Sequence, residues 1–317
     1  MRLLFTISLL IAAIQLSGQT IEKYYDYKWN ECEADEARFY CQIIKTDSGY
    51  VRKDYFIHEK KFQMVGKYKD KETKINDGQF HYFYSNGTVS STGIFKEGKK
   101  EGLWYSFYSN GNIKDSSVYL NGERTGTSLS WHPNGFMKDS IIINNDETGV
   151  SVSWFDNGNP SSAGFLRQRT KPHGIWKYFH INGNLSSKEV YENGKLTSKT
   201  YYDESGVELK DAKRKDAEAS FPGKTDAWLN YLHGNSWFPE QFRFTNNDKA
   251  VVVVTFTVNE EGKVEDAFVS TPLYPAFDKI ALDAVKNSPK WKPAISHNRA
   301  VKAWFSQPVT FVDVNQQ

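Results

Sequence analysis

Seven histidines (His58, His81, His132, His173, His180, His233, His297) and two cysteines (Cys32, Cys41) are the side chains best suited to hold a metal or to act as base and nucleophile. Their spacing supports neither chemistry. The sequence has no HExxH or HxH pair, no GxSxG elbow, no phosphate-cradling glycine loop and no dinucleotide fingerprint. His173 and His180 bracket the strand-like IWKYF, and seven residues of extended chain span roughly 23 Å, too far for joint ligation. Two cysteines without a partnering His pair leave a structural zinc site short of ligands. The expectation is a binding protein without catalysis, metal or cofactor.

Binding chemistry is concentrated near the C-terminal end. From Ala284 to Ser306 there are five basic residues, Lys286, Lys290, Lys292, Arg299 and Lys302, and no acidic one. With Trp291, the first four make a basic, aromatic patch that suits an acidic peptide or peptidoglycan; the alternative is a solvated face around a buried Trp291. Elsewhere the charge is balanced, with 40 Lys and Arg against 38 Asp and Glu, so nothing calls for nucleic acid.

The elements that position these residues fall into two parts. Aromatic content is 15%, with 18 Tyr, 21 Phe and 9 Trp, which favours pleated, half-buried strands. Gly87, Gly111, Gly135, Gly158, Gly183 and Gly206 follow one another at intervals of 24, 24, 23, 25 and 23 residues. A second series, Gly78, Gly102, Gly126, Gly149 and Gly174, runs beside it. Runs such as LWYSFYSNG and IWKYFHING end in dipeptides suited to type I′ turns, so each unit reads as one hairpin. A lone hairpin is marginal in water, so the units must pair edge to edge into an elongated, twisted antiparallel sheet over 52–210. Its rings either form a ligand-stacking face or are the sheet's buried face.

The stretch 211–235, with KDAKRKDAEASFPGK, reads as a linker. Beyond it, 236–314 has a different grammar. Val251 to Val258 is a continuous apolar strand, Glu261-Gly262 a tight turn, and Val264 to Val269 an alternating strand. Pro275 opens a helix whose Phe277, Ile280, Ala281, Ala284 and Val285 share one face. VKAWFSQPVTFV puts Val301, Ala303, Phe305, Val309 and Phe311 on one side of a last strand, giving β-β-α-β. The fold class is therefore mainly β with a small α+β C-terminal domain.

The repeated W/F-Y-x-NG pattern resembles the variant MORN repeats of bacterial exported proteins and of families labelled as antitoxins. Such repeats present surfaces to other proteins or to envelope polymers. The last part, from Trp237 to Val312, resembles the C-terminal domain of TonB, the energy transducer of Gram-negative envelopes. The resemblance rests on Phe238-Pro239, the VxFxVxxxGxV element from Val254 to Val264, the helix, the Trp291 to Pro293 W-x-P and the closing PVTF. It implies capture of a short peptide from an outer-membrane transporter, added as a strand at the last strand's edge. The edge so implied is Ala300, Val301, Lys302, Ala303, Trp304, Phe305 and Ser306, with pairing interrupted at Pro308, which lacks an N–H. A complete transducer also has a membrane helix and a Pro-rich spacer; here the repeats stand in the spacer's place.

Arg2 precedes an apolar run from Leu3 to Leu16, followed by Ser17, Gly18 and Gln19, so residues 1–19 read as a signal peptide for export to the periplasm or envelope. The run's 14 residues fall short of the about 20 a spanning helix needs. In that oxidising compartment Cys32 and Cys41, within the segment 20–51, either form a disulfide or are two small buried residues that never meet. The leading expectation is an exported scaffold presenting a peptide-binding module, with transport across the outer membrane as the role it would assist. The alternative is a repeat scaffold for protein or polymer whose small domain dimerises through its edge strand.

Overall fold

The computed structural model describes residues 20–210, 216–243 and 250–312; the predicted signal peptide lies outside them. Fifteen strands form one antiparallel sheet in strict chain order. The first eight are β1 (Thr20–Tyr25), β2 (Phe39–Thr46), β3 (Gly49–Phe56), β4 (Lys61–Tyr68), β5 (Asn76–Phe83), β6 (Val89–Lys96), β7 (Lys99–Phe107) and β8 (Ile113–Leu120). The rest are β9 (Glu123–Trp131), β10 (Met137–Ile143), β11 (Gly149–Trp154), β12 (Pro160–Arg167), β13 (Lys171–Phe179), β14 (Leu185–Glu192) and β15 (Lys195–Tyr201). The sheet thus starts well before residue 52, and the Cys-bearing segment is its first part. β1 lies between the two cysteines: Lys23 pairs with Cys41 on one side, while the Cys32 N–H donates to the Tyr24 carbonyl on the other. Two strand spacings, about 9.6 Å, exceed disulfide reach, and no bridge joins them.

The turns differ from expectation in type. At the Asn-Gly turns only the glycine is left-handed, as at Gly87 (φ 88°) and Gly183 (φ 91°). The Gly87 N–H donates to the Tyr84 carbonyl and the Tyr84 N–H to that of Thr88, both at 2.8 Å, which is a type I turn closed by a glycine bulge. Type I′ turns sit at the opposite end of the strands, at Asn121-Gly122 (φ 52° and 88°) and Asn193-Gly194 (φ 49° and 88°). Gly102, Gly126 and Gly174 are not turn residues but left-handed positions inside strands, opposite register slips.

The Asn-Gly ends are laced together. The hydroxyls of Tyr84 and Tyr108 donate to the carbonyls of Phe107 and Trp131, at 2.7 and 2.8 Å. His132 and His180 use Nε2 for the same bond to Trp154 and Tyr202, at 2.9 and 3.0 Å. A carbonyl only accepts, so both rings carry their proton on Nε2. Unit is tied to unit at the repeat interval.

The two faces have different problems. On the inner face flat rings lie over glycines of the next strand: Phe80 over Gly66, Trp104 over Gly93, Trp176 over Gly164. The indoles of Trp104 and Trp176 then donate to the carbonyls of Ile94 and Phe165, at 3.0 and 2.9 Å. On the outer face, cross-strand partners form rows. One row joins Leu103 to Val118, Thr127 to Ile142, Val150 to Phe165 and Ile175 to Val190. A second alternates large and small as Tyr105, Ser116, Leu129, Ser140, Val152 and Ala163. Phe107, Trp131, Trp154 and Phe179 continue the same strands on that face.

The C-terminal unit contains β16 (Val251–Val258), β17 (Val264–Thr271), β18 (Ala294–Ser296), β19 (Arg299–Val301) and β20 (Ala303–Thr310), with helices α1 (Lys224–Asn235) and α2 (Pro275–Lys286). β16 and the proline-started α2 match expectation. The observed order adds α1 and the β18–β19 hairpin to β-β-α-β. Part of the expected linker belongs to this unit: Ala217 and Ser220 bridge to Ile295 and Lys292, and Phe221, Trp228 and Leu232 join a core with Phe256, Phe277 and Trp291. The sheet order is β17-β16-β20.

Gly164→Ala tests the ring-on-glycine packing, since its Cβ would stand 2.2 Å from the Trp176 indole. The expected outcome is a loss of about 2 kcal/mol in thermal or urea unfolding, whereas Gly158→Ala, with open space around it but a left-handed φ of 84°, acts through backbone strain alone. A Gly164→Ala protein as stable as the parent would remove the packing argument.

Candidate functional site

The C-terminal unit lies in the inner face of the array along its Asn-Gly ends. Contacts start at the β3–β4 turn, where the rings of His58 and Tyr274 are 3.9 Å apart, and continue with Tyr84 edge-on to Phe268 at 5.0 Å. They end at β14 and β15 with the tip of the β18–β19 hairpin.

That tip is a type I′ turn, His297 and Asn298 having φ of 52° and 62°. His297 stacks on Tyr178 with centroids 3.6 Å apart and planes 5° from parallel, and its Nδ1 is 3.0 Å from Glu189 Oε1. Glu189 is 2% exposed. Burial pushes its carboxyl up, but hydrogen bonds from His297, Tyr191 and Ser187 outweigh this and hold it below its ordinary value. Asn298 Nδ2 donates to the carbonyls of Ser186 (3.2 Å) and Tyr202 (2.8 Å). Arg299 Nη1 donates to Ser161 Oγ at 2.7 Å, with the guanidinium over the rings of Phe155 and Tyr178. Among the described residues no carboxylate forms an ion pair with it, and burial, only partly offset by Tyr178 and Glu260, brings it down to about 10. Lys302 is instead bound by Asp156 at 3.2 Å and by Glu265.

The predicted basic and aromatic patch is therefore divided. Lys286, Lys290 and Lys292 are exposed, Trp291 is buried in the core, and Arg299 is turned into the array. The predicted edge is divided too. Ala300 and Val301 pair with Ile295 and Ala294 in β19, Lys302 is a link, and only Ala303, Trp304, Phe305 and Ser306 belong to β20. All of β20 pairs with β16, from Ala303 with Val258 to Thr310 with Val251. The Phe311 N–H donates to the Ala250 carbonyl, so odd-numbered residues direct their backbone groups to β16 and even-numbered ones direct theirs outward. Trp304 and Ser306 thus present N–H and C=O at the strand's outer side, where no described strand pairs. Pro308 has no N–H, and its carbonyl accepts from Gln307 Nε2 at 2.7 Å. The row of outward-facing backbone donors is therefore interrupted at Pro308 and resumes at Thr310.

Between the array and the outer face of β16, β17 and β20 is a cavity of about 270 Å³, lined by Tyr108, His132, Thr255, Asp266, Lys302 and Trp304 among others. Burial raises the Asp266 carboxyl and lowers the His132 imidazole.

The family model described as Gram-negative bacterial TonB protein C-terminal matches residues 238–312, and the MORN repeat variant model matches 100–121, 172–193 and 186–204. The chain thus carries the two in that order, repeats first. TonB C-terminal domains are protein-interaction domains of the Gram-negative envelope, and the match fits a protein partner and an envelope location. No curated protein matches the chain. Among solved structures, the crystal structure of accessory secretory protein 1, 2 and 3 in Streptococcus pneumoniae is similar at 12% identity and a TM-score of 0.15. The alignment covers 45% of this chain and 22% of that one, so the chain spans about a fifth of that protein.

Asp278, in the first turn of α2, sets a pH test of the folded unit. Burial pushes its carboxyl up to about 7 from 3.8, against the lowering effect of the Leu273 N–H, which it accepts at 2.8 Å. The folded chain then holds a proton that the unfolded chain has lost, so this group makes stability fall as pH rises from 3.8 to about 7. Asp278→Asn keeps the acceptor and removes the titration. Unfolding midpoints across that range should fall less steeply in the variant, which gains about 4 kcal/mol over the parent above the window.

Proposed function

We propose that this protein is an exported, non-enzymatic envelope protein that binds an extended segment of a partner protein by adding it as a strand at the outer side of β20. The observation that carries the reading is the outward direction of the Trp304 and Ser306 backbone groups on the last strand of a three-stranded sheet. An extended peptide satisfies such groups. The TonB-like match supports a protein partner; on this reading the partner is a segment of an outer-membrane transporter and the role is transport across that membrane.

The open stretch is short, so backbone pairing alone is weak. Each hydrogen bond contributes about 1 kcal/mol net, whereas association costs at least about 4 kcal/mol. Side-chain contact must supply the balance, and Trp304 is 66% exposed. Its ring stands on the same side of β20 as the cavity and can close over an added strand.

Ser306→Pro separates strand addition from other binding. The residue faces Thr255 in a pair that directs its N–H away from β16, as Pro308 does, so the internal ladder is kept. A photoreactive side chain at Trp304 in the full chain, irradiated in Gram-negative envelope extract, should label a segment of an outer-membrane protein. Ser306→Pro should cut this labelling at least about tenfold, with the unfolding midpoint nearly unchanged. Labelling that survives Ser306→Pro would refute strand addition, and label found only on a second copy would assign the edge to self-association.

A further inference from the structure

The outer face of the array is an apolar surface with nothing over it among the described residues. Leu103, Ile142, Phe165 and Ile175 are 46%, 46%, 62% and 49% exposed. The charged side chains in these rows are Lys177 and Lys188, at one end. Tyr178 and Glu189, which meet the C-terminal unit, lie on the opposite face. Domains bury each sheet face against another layer, and exposed apolar patches on monomers rarely exceed a few hundred Å².

We propose that a second copy of this chain covers the face, the two arrays packing as a β-sandwich about a two-fold axis that runs along the strands between β10 and β11. The pattern is self-complementary about that axis. In the middle row it seats Leu129 over Ala163 and Val152 over Ser140, so large side chains meet small there, and it leaves Lys177 and Lys188 at the two ends of the contact, over Ser116 and Tyr105. Twisted sheets of one hand pack this way at about −30°. The area is sufficient: roughly 38 Å by the roughly 16 Å of five residues gives about 600 Å² per copy, or about 1,200 Å² in total, the lower bound of stable interfaces. This interface is separate from β20 and does not depend on the peptide reading.

Sedimentation of the full chain tests it. The parent protein should be a dimer, and Ile142→Lys with Phe165→Lys should weaken it by at least about 100-fold, because two ammonium groups enter an apolar contact. Circular dichroism checks that the variant folds; should it not, Phe165→Ser, at a site that is 62% exposed, weakens the same contact without a charge. Ser306→Pro should leave the dimer intact. A monomeric parent, a dimer indifferent to the lysines, or a dimer broken by Ser306→Pro would each overturn the proposal. So would a monomer whose adsorption to anionic phospholipid vesicles or to peptidoglycan is lost with the lysines.

Discussion

A single sheet has two faces and one layer of backbone with which to bury them, and most of this molecule is shaped by that shortage. Strand edges are not the difficulty, because each hairpin pairs with the next from β1 to β15. The faces are. On the inner one, strands carrying Trp104 and Trp176 alternate with strands carrying Gly93 and Gly164, so that a ring covers a neighbour's bare backbone and needs no second layer. Where the rings give way to Ser117, Ser128 and Ser151, all at most 9% exposed, the face is polar. The C-terminal unit closes the Asn-Gly end of the same face.

Much of this was legible in the sequence. Period and turn glycines fixed the hairpins, because left-handed positions tolerate few other residues. Two glycine series were visible, but periodicity cannot tell a turn from a bulge: Gly102 and Gly126 lie in strands, and the type I′ turns are at Asn121-Gly122 and Asn193-Gly194. The C-terminal elements were read from apolar runs and a proline. Docking was not readable. Asn298 binds the backbone carbonyls of Ser186 and Tyr202, 112 and 96 residues away, and every residue type has a carbonyl. The available signal was Ser-His-Asn-Arg between two short apolar runs, which marks a hairpin turn without saying where it goes.

Charge at the interface explains why a basic run in the sequence did not become a basic surface. His297, Arg299 and Lys302 all point into the array, yet they are held differently. Lys302 finds carboxylates in Asp156 and Glu265 and is raised above its ordinary value despite burial. Arg299 meets a hydroxyl, a carbonyl and two ring faces, and its Nε is buried without a hydrogen bond. Its lowered affinity for the proton records the lost hydration. A guanidinium tolerates this better than an ammonium, because it is more weakly hydrated and stacks on rings. The array thus receives from the C-terminal unit one cation it neutralises and one it only shelters.

The same interface bears on how the outer strand would receive a partner. Lys302 alone separates β19, whose Arg299 is fixed to the array, from β20, whose open stretch starts at Ala303. Both ends of that link are therefore tied, one by Ser161 and the Phe155 ring, the other by the ladder to β16. An edge ordered in advance spares a peptide the entropy of ordering it. A spacer that merely carried the small domain at its tip would give no such help. Contacts running from His58 to Tyr202 make the array a fixture for the β20 edge.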